Sequence, residues 1–177
     1  ERCTNAGAVG TVGVSGTAAG LVTVGSATGV VVHAARCTNS GPVTAKSSRG
    51  VWGSANAAGL VATDGSGATV TLVNCANTGS VALATGQGYA CGLLYAGVVA
   101  STSSNITNSV NAGDVSTGTA SGTGMTKTAA GIANKAGTAQ NVVSMGAVSG
   151  DFSYAFSSSG PNTDDLYALR GICSACS

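Results

Sequence analysis

The chain has 177 residues, only 7% of them charged, and its formal net charge is +1. So little charge excludes the phosphate-neutralising surface of a nucleic-acid-binding protein, and six scattered acidic residues exclude the paired carboxylates of a glycosidase. With a mean hydropathy of +0.33, this composition predicts a surface that associates with other molecules.

A short phrase with the pattern Asn-x-Gly-x-Val occurs four times, and a degraded fifth copy lies at Gly146-Ala-Val148. Its asparagines are Asn5, Asn39, Asn77 and Asn111, which are 34, 38 and 34 residues apart. Such a period predicts a stack of one repeated unit. Asn near Gly suits a corner with a left-handed backbone. Stacked corners would let the amides hydrogen-bond into a ladder; the alternative is a set of exposed turn residues.

Each copy continues with a second phrase, Ala-Ala-Gly-Leu-Val or a variant of it, and ends in an apolar stretch. The second phrase begins at Ala18, Ala57, Tyr95 and Ala129, and the apolar stretches are 30–32, 70–73, 106–110 and 142–143. Each unit thus has three short β-branched segments separated by turn residues. The sequence predicts an all-β fold over residues 1–150, a parallel β-solenoid of about four and a half repeats of 34–38 residues with a narrow aliphatic core. Two smaller coils per repeat are the alternative to one.

Three of the six cysteines fall at one place in the repeat. Cys3, Cys37 and Cys75 each precede a corner asparagine by two residues, so stacking would put them in one column within disulfide range. In the fourth unit Ser109 takes that place. The even number of cysteines favours an oxidising compartment.

The other three cysteines are Cys91, Cys173 and Cys176. Cys91 has no mate in the column and is assigned to an insertion loop. Cys173 and Cys176 offer partners for Cys3, including across a subunit contact, and the sequence does not choose among the pairings. Their spacing is that of half a zinc site, but no second pair accompanies it. No metal or other cofactor is therefore predicted.

The tail, residues 151–177, is predicted to leave the repeat and to cap it or to link subunits. The candidates for subunit contact there are Phe152, Tyr154, Phe156, Leu166, Tyr167 and Leu169. They would pack either on the chain's own last coil or on the open first coil of a neighbouring molecule. Asp164 and Asp165 are predicted to begin a short turn or helix.

Asn105-Ile-Thr107 is the sole Asn-x-Ser/Thr sequon and is predicted to carry an N-linked glycan if a eukaryote secretes the chain. Against this, Ile106 belongs to a predicted strand. The only histidine, His33, lies in an apolar run and is expected to be buried or at a turn. No catalytic residues are predicted, and the chain is not expected to be an enzyme.

The alternation of Asn-x-Gly with Gly-Leu-Val over residues 3–150 resembles the GLUG-type repeats of bacterial and protist surface proteins. The resemblance implies an extracellular adhesive or structural protein without catalytic residues. The column of cysteines departs from the usual pattern of that family and fits a covalently reinforced fibre.

These features together predict a secreted structural subunit of an extracellular filament. Its partner would be the chain itself, polymerised head to tail, with disulfides, covalent glycans and no membrane span. The first repeat starts within five residues of Glu1 with nothing ahead of it as a cap, and no initiator methionine or targeting segment is present. The alternatives are an adhesin or carbohydrate-binding segment of a larger surface protein, and an ice-binding solenoid with Thr4 and Thr38 in line.

Overall fold

The computed structural model describes residues 1–25, 28–64, 67–97, 103–118, 126–154 and 162–168, the last range by its backbone. Every strand pairing in it is parallel, and successive strands of each sheet come from successive repeats. The predicted parallel β-solenoid is confirmed. We call one circuit of the chain around the solenoid axis a coil.

The strands are short and follow one another closely along the chain. In chain order they are β1 (Thr4–Asn5), β2 (Val9–Gly13), β3 (Ser15–Ala19), β4 (Val22–Val24), β5 (Val31–Ala35), β6 (Thr38–Asn39), β7 (Val43–Ser47), β8 (Ser54–Ala58), β9 (Val61–Thr63), β10 (Thr69–Val73), β11 (Ala76–Asn77), β12 (Val81–Thr85), β13 (Gln87–Cys91), β14 (Leu94–Ala96), β15 (Ser103–Asn111), β16 (Val115–Thr117), β17 (Lys127–Ala130), β18 (Thr138–Ser144), β19 (Val148–Ser149), β20 (Phe152–Tyr154) and β21 (Asn162–Ala168). A 3-10 helix, Gly50–Trp52, lies between β7 and β8.

Four parallel sheets form the walls of the solenoid. Sheet A contains β1, β5, β6, β10, β11, β15, β18 and β21; sheet B contains β2, β7, β12, β16 and β19; sheet C contains β3, β8, β13, β17 and β20; sheet D contains β4, β9 and β14. The sequence predicted three strands per repeat. Each of the first two repeats has five, β1–β5 and β6–β10. One extra strand arises because the Ala-Ala-Gly-Leu-Val phrase bends at its glycine, which leaves a strand of sheet C before the bend and one of sheet D after it. The other arises because sheet A receives a strand on each side of its corner, as in β5 and β6.

The register shows one coil per repeat. Thr4 pairs with Thr38, and Asn39 pairs with both Asn5 and Asn77. Neighbouring strands are therefore separated by a full repeat of sequence. The alternative of two smaller coils per repeat is wrong.

The left-handed residues of the corner are not the asparagines of the repeated phrase. They lie three positions earlier, at Arg36, Asn74, Asn108 and Asn141, with φ between 50° and 58°. Asn39 and its counterparts lie instead in strands. The prediction of a left-handed backbone at the phrase itself is therefore wrong. The side chain of that asparagine closes the bend by a hydrogen bond to the glycine two residues later, so its backbone can stay extended.

The core has two large aliphatic clusters and a third, smaller one that includes Ala58, Cys91 and Tyr95. One large cluster lies between sheets A and D and includes Leu60, Leu72, Leu93, Leu94, Ile106 and Val142. The other large cluster lies between sheets B and C and includes Val43, Val81, Val115, Ala57, Ala90 and Ala129. All the largest fully buried side chains are Leu, Ile or Val, as the predicted narrow core requires.

The coil continues beyond residue 150. Phe152 pairs with Thr128 in sheet C, and β21 pairs with β18 in sheet A. Asp164 and Asp165 lie inside β21, so the prediction that they begin a turn or helix is wrong. Pairing along a whole strand outweighs the weak preference of aspartate for turns.

Candidate functional site

The corner asparagines form a continuous ladder of hydrogen bonds inside the solenoid. The side-chain Nδ2 of Asn5 donates to Oδ1 of Asn39 at 2.7 Å. Asn39 donates in the same way to Asn77, and Asn77 to Asn111, both at 2.8 Å. The predicted ladder is therefore present. Exposed turn residues are excluded for Asn39, Asn77 and Asn111, which are fully buried.

Each ladder amide also closes its own corner. Nδ2 of Asn77 donates a second hydrogen bond to the carbonyl oxygen of Gly79 at 2.8 Å, and Asn39 makes the same bond to Gly41 at 2.8 Å. The buried amide thus uses both of its N–H groups and its oxygen, as buried polar groups require. Because the side chain closes the bend, the asparagine backbone stays extended.

The two repeated phrases meet at the ladder. A Cβ built on Gly59 would lie 2.6 Å from Cγ of Asn77, and one built on Gly92 would lie 2.5 Å from Cγ of Asn111. Only glycine leaves room for the amide. The first alanine of the phrase, as in Ala57, belongs to the B–C cluster, and the leucine after the glycine, as in Leu60, belongs to the A–D cluster, so the ladder runs between these two clusters.

The third copy of the second phrase is not where the sequence placed it. The predicted copy was Tyr95-Ala96-Gly97, but Cys91 pairs with Ala58, and Gly92 therefore occupies the glycine position. The prediction was wrong because it compared residue types alone. The physical requirement is a glycine facing Asn111, and Gly92 meets it.

Cys91 is consequently a core residue, and its assignment to an insertion loop is wrong. It ends β13 in a column with Ala58 and Ala130, and it packs with Ala62 and Tyr95. The side chain is fully buried, and this burial raises the pKa of the thiol. A cysteine fits an alanine column because it is a small apolar side chain when it is not ionised.

Cys3, Cys37 and Cys75 are free thiols, although they lie in one column as predicted. The predicted disulfides are therefore not formed among them. The buried thiols of Cys37 and Cys75 donate instead to the carbonyl oxygens of Ala35 at 3.4 Å and Val73 at 3.3 Å. Burial raises the pKa of Cys75. Cys3, on the first coil, is exposed.

The first coil leaves one edge open in every sheet. β1 and β5 lie at the ends of sheet A, and β2, β3 and β4 each end their own sheets; no described residue pairs with their outer edges. The exposure of equivalent side chains in successive coils reflects this open edge. Val22 of sheet D is 39% exposed, whereas Val61 and Leu94, at the same position in the next two coils, are 0% exposed.

The glycines that follow the ladder asparagines lie very close to the preceding coil. A Cβ on Gly79 would lie 2.1 Å from the carbonyl oxygen of Gly41, and one on Gly41 would lie 2.0 Å from that of Gly7. A Cβ on Gly7 itself would have as its nearest neighbour only Oδ1 of Asn5, at 3.6 Å. The open side of Gly7 is therefore the side on which a preceding coil would lie.

The predicted contact residues of the tail are only partly described. Phe152 and Tyr154 of β20 are 48% and 38% exposed, so part of each ring is open to contact with another surface. Leu166 and Tyr167 lie in β21, of which the backbone is described. Phe156 and Leu169, together with Cys173 and Cys176, lie outside the described residues.

Asn105 of the sequon lies on the outer face of sheet A. It is exposed in β15, while the neighbouring Ile106 is fully buried. Thr107 shares the face of Asn105, and the Oδ1 of Asn105 accepts a hydrogen bond from Thr138 Oγ1 at 2.5 Å. The strand position of Ile106 therefore leaves the asparagine accessible to solvent.

A groove of about 560 Å³ opens beside the first coil. Its lining residues are Glu1, Arg2, His33, Ala35, Arg36, Val73 and Asn74. His33 is exposed in β5, so the expectation that it is buried or at a turn is wrong; alternation along the strand directs it outward. Basic side chains thus dominate this part of the first coil.

Among the described residues, no three His, Cys, Asp or Glu side chains are grouped so that they could hold a metal ion. No helix in the same ranges has the length and hydropathy needed to span a bilayer. No family model, curated protein or solved structure matches the chain, and the resemblance to GLUG-type repeats stays a prediction.

Proposed function

We propose that this chain is a non-enzymatic structural subunit of an extracellular filament, in which the last coil of one copy pairs with the first coil of the next. The single observation that carries the proposal is the open first coil. Val22 is 39% exposed there, and its counterparts in the next two coils are completely buried. A further coil, supplied by a second copy, would bury it.

The open edges support a head-to-tail contact. A parallel edge presents unpaired N–H and C=O groups that pair with another strand running in the same direction. The two ends of a parallel solenoid are different surfaces, so the contact between copies is heterologous. Such a contact can repeat without closing and then gives a filament.

The inside of the solenoid supports the same contact. Oδ1 of Asn5 accepts from the backbone N–H of its own Gly7 at 3.1 Å, whereas Oδ1 of Asn39 accepts from the preceding asparagine. The ladder therefore ends at Asn5 in this chain. Burying the exposed part of Val22 would contribute about 1 kcal/mol, and the other inward side chains of the coil would add to this.

Composition supports association. Only 7% of the residues are charged and the net charge is +1, so electrostatic repulsion between copies is weak. An apolar interior with unpaired edges and a weakly charged exterior is typical of a chain that assembles.

Secretion, covalent glycans and disulfide reinforcement belong to the same proposal. The exposed Asn105 supports glycosylation, because an N-glycan needs an accessible asparagine. The exposed thiol of Cys3 lies on the proposed contact surface, where a cysteine of a neighbouring copy is its most direct partner. In an oxidising compartment the pair would cross-link adjacent subunits.

Negative-stain microscopy and sedimentation of the purified chain, with and without reductant, test the proposal. We expect long unbranched fibres, reduction-sensitive multimers in denaturing gels, and excess mass that glycosidase removes from material secreted by a eukaryotic host. Discrete monodisperse particles at all concentrations would contradict the filament.

One observation favours the second candidate, an adhesin or carbohydrate-binding segment. Trp52, the only tryptophan, is 75% exposed on the 3-10 helix between β7 and β8, and exposed aromatic rings are common anchors in recognition. Titrating oligosaccharides while following Trp52 fluorescence tests this function. Saturable quenching in the wild type, together with glycan-array binding that a Trp52→Ala variant loses, would support it.

A further inference from the structure

Charged side chains are segregated along the solenoid. Residues 1–50 contain four of the seven basic residues and one acidic residue, Glu1; the basic ones are Arg2, Arg36, Lys46 and Arg49. Residues 151–168, at the other end, contain no basic residue and three of the six acidic ones, which are Asp151, Asp164 and Asp165. The solenoid therefore has a basic end, here called the head, and an acidic end, here called the tail end.

Two of the head residues begin one column at the corner of sheet A. Arg2 and Arg36 each lie two residues before a threonine, and these threonines, Thr4 and Thr38, pair with each other. Arg36 has a left-handed backbone with φ 58°, like Asn74 in the next coil with φ 54°. Asparagine tolerates this conformation better than arginine. The column thus has an arginine where its other corners have asparagine, at some cost in backbone strain.

The same column ends in one acidic residue, Asp165. β21 pairs with β18 so that Asp164 is level with Gln140 and Leu166 with Val142. Asp165 is therefore level with Asn141, which is the last of the left-handed corner residues. Between the arginines and Asp165 the column holds only uncharged residues.

We infer that this column sets the direction and register of assembly, with Asp165 of one copy level with Arg2 of the next. In the same register Asp164 would be level with Glu1, so the attraction belongs to Asp165 and Arg2. The inference rests on the proposed head-to-tail filament and names its specificity. Paired strands lie about 4.8 Å apart, a distance at which opposite charges attract and like charges repel. Head-to-head and tail-to-tail contacts would bring like charges together and are disfavoured.

The column acts on orientation and rate more than on affinity. The groove that holds Arg2 and Arg36 is open to solvent, and exposed ion pairs contribute only about 0.2–1 kcal/mol each. Complementary patches nevertheless speed correct docking about tenfold or more at low ionic strength. The open edges and apolar side chains supply the affinity, and the charges select which ends meet.

Two charge-reversed variants test the inference. The head variant is Arg2→Glu, and the tail variant is Asp165→Lys. Each variant alone presents like charges at every contact, and we expect elongation at least about tenfold slower than that of the wild type at low salt. An equimolar mixture restores opposite charges at every contact, so we expect it to elongate at close to the wild-type rate as an alternating copolymer. Light scattering and negative-stain microscopy follow the assembly, and circular dichroism checks that each variant is folded.

The outcomes separate the two proposals. A wild type that stays monomeric overturns the filament itself. Wild-type elongation by either variant alone overturns the role of the column and leaves the filament standing. Folded variants that do not elongate either alone or in the mixture also overturn the role of the column. If a reversed variant does not fold, the neutral pair Arg2→Asn and Asp165→Asn replaces it. Elongation of that pair should lose most of its salt dependence, and a wild-type salt dependence would contradict the inference.

Discussion

The side-chain amide of Asn77 packs directly on the α-carbon of Gly59, so closely that a Cβ on this glycine would lie 2.6 Å from Cγ of the asparagine. The two residues belong to different phrases and to successive coils. Their contact explains why the two phrases recur together, since the buried amide fills the space that a side chain would occupy. Hydrogen bonding along the ladder and packing against glycine therefore join each coil to the next.

Replacing a central ladder residue should be much more destabilising than replacing the end one. Asn77→Ala removes three hydrogen bonds and leaves buried partners on Asn39 and Asn111 unpaired, so we expect a loss of about 3 kcal/mol in the free energy of unfolding. Asn5→Ala, at the open end, should cost about 1 kcal/mol. Urea denaturation followed by circular dichroism measures both. Equal losses would contradict a ladder that is buried in the middle and open at the first coil.

Adding one methyl group at the glycine that faces the ladder should disrupt the fold. In Gly59→Ala the new Cβ would lie 2.0 Å from the carbonyl oxygen of Gly92 as well as against Asn77, and neither group can move without breaking the stack. We expect a loss of at least about 3 kcal/mol, measured by thermal unfolding. Gly25→Ala is the matched control, because no described atom beyond its chain neighbours lies within 4 Å of its added Cβ. A Gly59→Ala variant as stable as this control would show that the two phrases do not meet.

Thiol labelling should distinguish the exposed cysteine from the buried ones. In the folded protein we expect iodoacetamide to modify Cys3 quickly and Cys37, Cys75 and Cys91 only after denaturation. Burial shields the last three and, at Cys75 and Cys91, raises the thiol pKa, so raising the pH moderately should not expose the reactive thiolate. Peptide-level mass spectrometry after timed quenching measures each site. Fast native labelling of Cys91 would contradict its place in the core.

Restoring the usual residue of the left-handed corner should stabilise the isolated subunit. Arg36→Asn puts asparagine where the following corners already have it, and we expect a gain of about 0.5–1 kcal/mol. The reciprocal change, Asn74→Arg, should cost a similar amount. Comparing urea midpoints under dilute, monomeric conditions checks the pair, and a loss of stability in Arg36→Asn would show that the arginine makes contacts that outweigh its strain.

The fold and the ladder could be predicted from the sequence, because both need the same residues at the same place in every repeat. Asn39, Asn77 and Asn111 recur in successive repeats together with a glycine two residues later. Stacking brings residues at equivalent positions of successive repeats together. The aliphatic core could be predicted for the same reason, since each coil repeats the pattern of the last.

The incorrect predictions concern positions where packing accepts a residue type that the repeat pattern does not include. Cys91 replaces an alanine of similar size, and this hid the third copy of the glycine phrase. Asp164 and Asp165 suit a turn locally, but β21 is held as a strand by pairing with β18. The left-handed corner could not be located from the phrase, because only the structure shows that the asparagine side chain closes the bend itself.

Assembly of the wild type compared with Gly7→Ala is the most direct test of head-to-tail stacking. The added Cβ would meet no described atom closer than 3.6 Å within its own chain, so the stability of the monomer should change by less than about 0.5 kcal/mol. In the repeat, however, this position faces the preceding coil, and the methyl group would obstruct a docked neighbour. In sedimentation velocity we expect long polymers of the wild type and a subunit of about 16.7 kDa for the variant. Wild-type chains that remain monomeric, or variant chains that polymerise equally well, would contradict the account.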